Sequence, residues 1–147
     1  MAVTATVTLS LVAAGCGPFG GSSLGPAPGT IVFGSAAHRV SAYQWTVKSP
    51  HSNFRDGKWI GWVAQLKQPL GATMVEVVVK DAATNRVTWD GEAIGLDPKF
   101  VQLASQGAVP VDSFDKAGQA GPVPGKYVLE YVSGNVILAQ GTFRITR

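Results

Sequence analysis

The chain of 147 residues has one cysteine and two histidines, and only 14% of it is Asp, Glu, Lys or Arg. A single cysteine excludes an intramolecular disulfide, so the fold must hold by its core. That is workable at this length, since covalent or metal staples are needed mainly below roughly 70–80 residues. His38 and His51 have no partners at metal-ligand spacing, and a zinc site needs three or four ligands. A serine triad would have to recruit one of these two histidines. Asp90-Gly91-Glu92 and Asp112-Ser113-Phe114-Asp115 set carboxylates close together without forming a calcium loop. Twelve Lys and Arg against nine Asp and Glu give a net charge of +3, with the cations scattered along the sequence. The basic patch with interleaved aromatics that nucleic-acid binding requires is absent. Weak attraction to acidic envelope polymers or lipid headgroups is what this charge supports. No catalytic residue, metal or cofactor is assigned.

What is present is alternation, clearest in Gly125 to Arg147, GKYVLEYVSGNVILAQGTFRITR. Strand side chains alternate between faces. Tyr127, Leu129 and Tyr131 share one face, and Val128, Glu130 and Val132 the other. A two-residue turn at Gly134-Asn135 would bring the tyrosine face against Gln140 and Thr142. A three-residue turn pairs Tyr131 with Ile137 and Leu129 with Ala139, so the apolar sets coincide. The expected inner face is then Tyr127, Leu129, Tyr131, Ile137, Ala139, Phe143 and Ile145, with Gly134 or Asn135 at positive φ.

The chain begins with an apolar stretch of small residues, Met1 to Gly15, followed by Cys16. It is too short to span a bilayer, which takes about 20 residues, and suits the apolar region of a signal peptide. Ala13-Ala14-Gly15-Cys16 resembles a bacterial lipobox, with Ala13 where Leu is usual and no Lys or Arg before Arg39. The resemblance implies a signal peptide over 1–15 and a lipid on Cys16. Residues 16–29, rich in Gly, Pro and Ser, then form a disordered tether with a reach of roughly 20 Å. A folded domain is expected over 30–147.

Within it, Ile31 to Gly34 reads as an edge strand and Val40 to Val47 as a second strand. Lys58 to Leu66 turns Ile60, Trp62, Ala64 and Leu66 inward and leaves Trp59 outside. Thr73 to Lys80 turns Val75, Val77 and Val79 inward and forms a hairpin with Arg86 to Trp89. Asp97-Pro98 begins a short helix or 3₁₀ turn. Gly107 to Pro124 is loop, with a weak strand around Val109 to Val111. About seven short strands without βαβ units indicate an all-β antiparallel sandwich.

Pro124-Gly125-Lys126-Tyr127-Val128-Leu129 resembles the start of the penultimate strand of immunoglobulin-like domains. Tyr127 stands at the tyrosine-corner position, and Leu129 where that family has its second cysteine. Trp62 resembles the core tryptophan of the third strand. The whole span is similar to the single immunoglobulin-like domain of bacterial lipoproteins, which implies an extracytoplasmic, membrane-anchored protein and carries over no catalytic residue.

The outer hairpin face carries Val128, Val132, Val136 and Leu138. Trp59 and Trp89 have no core place, and Met74 and Val78 point outward. Exposed apolar patches mark interaction sites. The expectation is a non-catalytic binding or adaptor module in the bacterial cell envelope, held to membrane lipid through Cys16, with these residues meeting a protein or envelope polymer. The alternatives are a structural subunit joined through sheet edges, and a small hydrolase or ligand carrier with a deep pocket at His38 or His51.

Overall fold

A computed structural model describes residues 26–114 and 123–147. The described residues form a β-sandwich with eleven strands rather than about seven. One sheet holds β1 (Ile31–Gly34), β5 (Trp59–Gln65) and β8 (Gln102–Ala104), with β9 (Val109–Pro110) also on β5. The other has the order β4 (Asn53–Arg55), β11 (Val136–Thr146), β10 (Gly125–Ser133), β6 (Met74–Asp81), β7 (Val87–Ile94). Pairing is antiparallel except that β4 runs parallel to β11. Cys16, the signal segment and most of the expected tether lie outside the described residues. The end of the tether does not: Gly29 donates to Gln65 O at 2.7 Å and accepts from Gln140 N at 3.1 Å, so the fold begins before Thr30.

The closing hairpin solves its face problem differently from the expectation. Its turn has two residues, Gly134-Asn135, since Ser133 pairs with Val136, and Gly134 alone takes the positive φ. A bulge then restores the face. Val132 pairs with Ile137 but Tyr131 with Ala139, leaving Leu138 as the extra residue. Tyr127, Leu129, Tyr131, Ala139, Phe143 and Ile145 are buried as expected. Ile137, expected inside, is 47% exposed, and Leu138, expected outside, packs against the core, because the two-residue turn sets the faces of both before the bulge restores the inward face at Ala139.

Phe143 is the hub of that core. Its ring lies within 5.2–6.3 Å of those of Phe33, Tyr127, Phe114 and Phe54. Tyr127 makes the tyrosine corner, donating from its hydroxyl to Val123 O at 2.6 Å. Across the core, the indole of Trp62 donates to the Tyr131 hydroxyl oxygen at 3.0 Å. These features make the sandwich immunoglobulin-like without a disulfide.

Three sequence expectations are corrected. Val40 to Val47 is not one strand: β2 (Ala36–Ser41) and β3 (Gln44–Lys48) form a hairpin across it. This hairpin covers the outer face of β5, burying Ala37, Val47 and Val63 together. No helix follows Asp97; its side chain caps a turn by accepting from Lys99 N at 2.9 Å, and β8 follows. The stretch expected as loop with a weak strand does hold that strand, β9, but its described residues also form a 3₁₀ turn, Val111–Phe114, which sends Val111 and Phe114 into the core.

Two glycines allow the layers to meet. A Cβ on Gly141 would lie 2.7 Å from Ile31 Cβ and 2.8 Å from Ile31 O, where β1 crosses β11. A Cβ on Gly61 would lie 2.3–2.5 Å from the backbone of Ala36 and Ala37, under the β2–β3 hairpin. Gly141→Val is therefore expected to lower stability by about 1–3 kcal/mol, the usual cost of overpacking. The drop is read as a lower urea midpoint, and an unchanged midpoint would refute the close approach.

Burial pushes the Tyr131 phenol up to about 12, with the Trp62 hydrogen bond opposing part of that shift. An unfolded tyrosine ionises near pH 10. Between about pH 10 and 12 the unfolded state therefore holds fewer protons than the folded state, and stability falls as pH rises, by about 1.4 kcal/mol per unit. Stability against pH, measured by urea unfolding, should show this loss in the native chain. Tyr131→Phe should be weaker at pH 7, by about 1–3 kcal/mol for the unpaired indole N–H, and should have a flatter alkaline limb.

Candidate interaction surfaces

The candidate residues fall on different parts of the sandwich. Trp59 begins β5 with its side chain 56% exposed. Val136 follows the β10–β11 turn and is 60% exposed. They lie at opposite ends of the strands. Two of the other candidates belong to the margin of the core. Trp89 pairs with Val79 on the inner face of β7, folds over Gly91 and meets Phe114 edge-on at 5.5 Å. Leu138 packs against the core. Val128 and Val132 stay on the outer face, half-buried, so the expected apolar patch does not exist as one continuous surface.

The outer face of that sheet is mixed instead. Its middle holds Glu130, buried at 6% exposure and paired with Lys80 at 2.7 Å. Glu76 stands directly opposite Glu92, and Asp90 opposite Val78. Glu76, Asp90 and Glu92 border an open groove of about 460 Å³. Among the described residues, no three His, Cys, Asp or Glu side chains are arranged to hold a metal ion.

The surface around Trp59 is a groove of about 570 Å³ lined by Ser35, His51, Asn53, Phe54, Arg55, Lys58, Trp59 and Ala108. β4 supplies Asn53 to Arg55, and the turn through Gly57, at φ +71°, returns the chain into Trp59. His51 packs on Phe54 with ring centroids 4.5 Å apart, and its Nδ1 is hydrogen-bonded to the carbonyl of Ser49. Ser35 donates its hydroxyl to Lys48 O, away from a nucleophile's role toward His51. Among the described residues, no carboxylate lines the groove. His38, on β2 opposite Thr46, is exposed. Outside the described residues, Gly21-Ser22-Ser23-Leu24-Gly25 spells Gly-x-Ser-x-Gly, but no strand pattern precedes it and no helix pattern follows, the setting a nucleophile elbow needs.

Sequence reading missed the arrangement of charge. Cations scattered along the chain are gathered by the fold. Lys48, Arg55, Lys58, Arg86, Lys126, Arg144 and Arg147 are all exposed and cluster at the Trp59 end of the sandwich, against Asp56 and Asp81 there. The signal lay in spacing: these residues sit at or beside the turns and strand ends of alternate connections, which antiparallel strands return to one end.

Lys80→Met should destabilise the fold by about 2–3 kcal/mol, because it leaves the buried Glu130 carboxylate without its partner. Adding Glu130→Gln should recover most of that loss. Urea unfolding of both variants checks this, and a neutral Lys80→Met would refute the pairing.

No protein-family model matches the chain, and no curated protein matches it. Among solved structures, an immunoglobulin-like protein from Pseudomonas aeruginosa is similar, at 16% identity over 80% of this chain and 93% of that one, with a TM-score of 0.47.

Proposed function

We propose that the protein is a non-catalytic binding module of the bacterial cell envelope, anchored to membrane lipid through Cys16, that holds an acidic protein or envelope polymer at its Trp59 end. One observation carries the ligand reading. Trp59 is the large aromatic left exposed beside two cations, Arg55 and Lys58, in a groove that no carboxylate lines among the described residues, at the end where the basic side chains gather. An exposed indole offers a flat apolar face at low entropic cost, and the surrounding cations attract and orient an anion. Anchoring is supported by the sequence around Cys16. No helix among the described residues is long and apolar enough to cross a membrane.

Assembly through sheet edges finds less support. The β7 edge carries Asp90 and Glu92, and charges on an edge strand oppose addition of another strand.

Polyglutamate and polyphosphate serve as probes. Both should bind the purified chain, more weakly as salt rises. The combined Trp59→Ala, Arg55→Gln and Lys58→Gln variant should lose at least about tenfold in affinity, roughly 1.4 kcal/mol. Ile94→Ser, at the other end, should bind like the native chain. Equal binding by the triple variant, or none by the native chain, would overturn the proposal.

A further inference from the structure

The sandwich has a second functional end. The chain enters the fold at the Gln65 end of β5, opposite Trp59, since Gly29 donates to Gln65 O; Thr30 then bridges to Gln140, and β1 runs parallel to β11, away from the β10–β11 turn. At this proximal end lie the tip of the β2–β3 hairpin, the connections after β5 and β7, and the start of β8.

These tips are apolar. Tyr43 is 66% exposed and Ile94 72%, with Met74, Val101, Val136 and Ile137 each 40% or more. Val40 joins them, whereas, among the described residues, only Trp59 and Val87 of the exposed large apolar side chains lie elsewhere. Met74 and Ile94 are cross-strand partners, and Tyr43 meets Phe100 edge-on at 6.4 Å beside Val101. The residues form a rim around one end of the sandwich, on separate tips. Exposed Lys67 and Lys99 accompany them. Aliphatic tips with a tyrosine and flanking lysines are the composition of the membrane–water interface, where aromatic rings and long cations sit at headgroup level.

We infer that this rim rests on the lipid bilayer to which the chain is anchored. The inference builds on the anchoring reading above. Cys16 lies 13 residues before Gly29, so an acylated Cys16 keeps the domain within about 45 Å even at full extension of the intervening chain. The link joins the domain at the rim itself. Insertion of the rim is therefore nearly intramolecular, and each shallow apolar tip adds to binding without having to recruit the domain from solution. With the rim on the membrane, the Trp59 groove faces outward, about 33 Å away along β11, whose eleven residues make ten steps of about 3.3 Å.

The single cysteine makes the test clean, because an acylated Cys16 leaves no thiol. Full-length lipidated chains carrying Ile94→Cys, Val136→Cys or Val87→Cys are labelled with an environment-sensitive fluorophore and placed in phosphatidylethanolamine–phosphatidylglycerol vesicles, with and without brominated acyl chains. Dyes at Ile94 and Val136 should shift to the blue, brighten several-fold and be quenched by the brominated lipid. A dye at Val87, at the distal end, should report water and resist quenching. Uptake of label by the unsubstituted chain would show a free Cys16 and overturn both the anchoring reading and this inference. In an acylated chain, water-exposed dyes at Ile94 and Val136 would overturn the inference alone. So would a blue shift that depends on protein concentration and ignores brominated lipid, since a second copy of the chain would then cover the rim.

Discussion

The structure depends on which face of β11 looks inward. Phe143 has to point into the sandwich, because four other aromatic rings pack against it. A regular strand leaving the Gly134-Asn135 turn would present Gln140, Thr142 and Arg144 instead. The extra residue at Leu138 reverses that parity after two pairs, and every inward residue beyond it follows. The same choice brings Gly141 under β1, so one bulge both aligns the hairpin and lets the first strand close the sandwich. The two-residue turn before it leaves Ile137 outward, on the proximal rim.

Much of the core was legible, because burial imposes a period on the sequence. Ile60, Trp62 and Ala64, then Val75, Val77 and Val79, then Tyr127, Leu129 and Tyr131 alternate without interruption, and all are buried. What escaped were interruptions without a marker. Ala42-Tyr43 turns β2 into β3 with neither Gly nor Pro, so the alternation of Val40 to Val47 runs through it without a marker. Leu138 bulges among ordinary strand residues. Val111 and Phe114 come from a polar, glycine-rich stretch with no period, and their burial is set by the gap between the sheets.

The candidate surfaces were legible as residues but not as places. Trp59 and Val136 could be named as unplaced apolar groups, yet only the register sets them at opposite ends. Trp89 and Leu138 carry the same signal and lie at the core margin. Charge shows the same limit. Cations that recur at alternate turns look scattered in a linear reading, and antiparallel pairing sorts them to one end. The outcome is a molecule with two unlike ends: an apolar rim where the chain enters, and a basic end with an exposed indole opposite.

That two-ended character is tested most directly by neutron reflectometry of the acylated full chain on a supported bilayer. The account predicts a protein layer that starts at the headgroups without a hydrated gap and stands at least roughly 30 Å tall, the length of its longest strand. Added polyglutamate should thicken only the outer side of that layer. A domain held off the membrane by a water layer of up to about 20 Å, the reach of a free tether, or one lying with its sheets flat on the lipid, would contradict it.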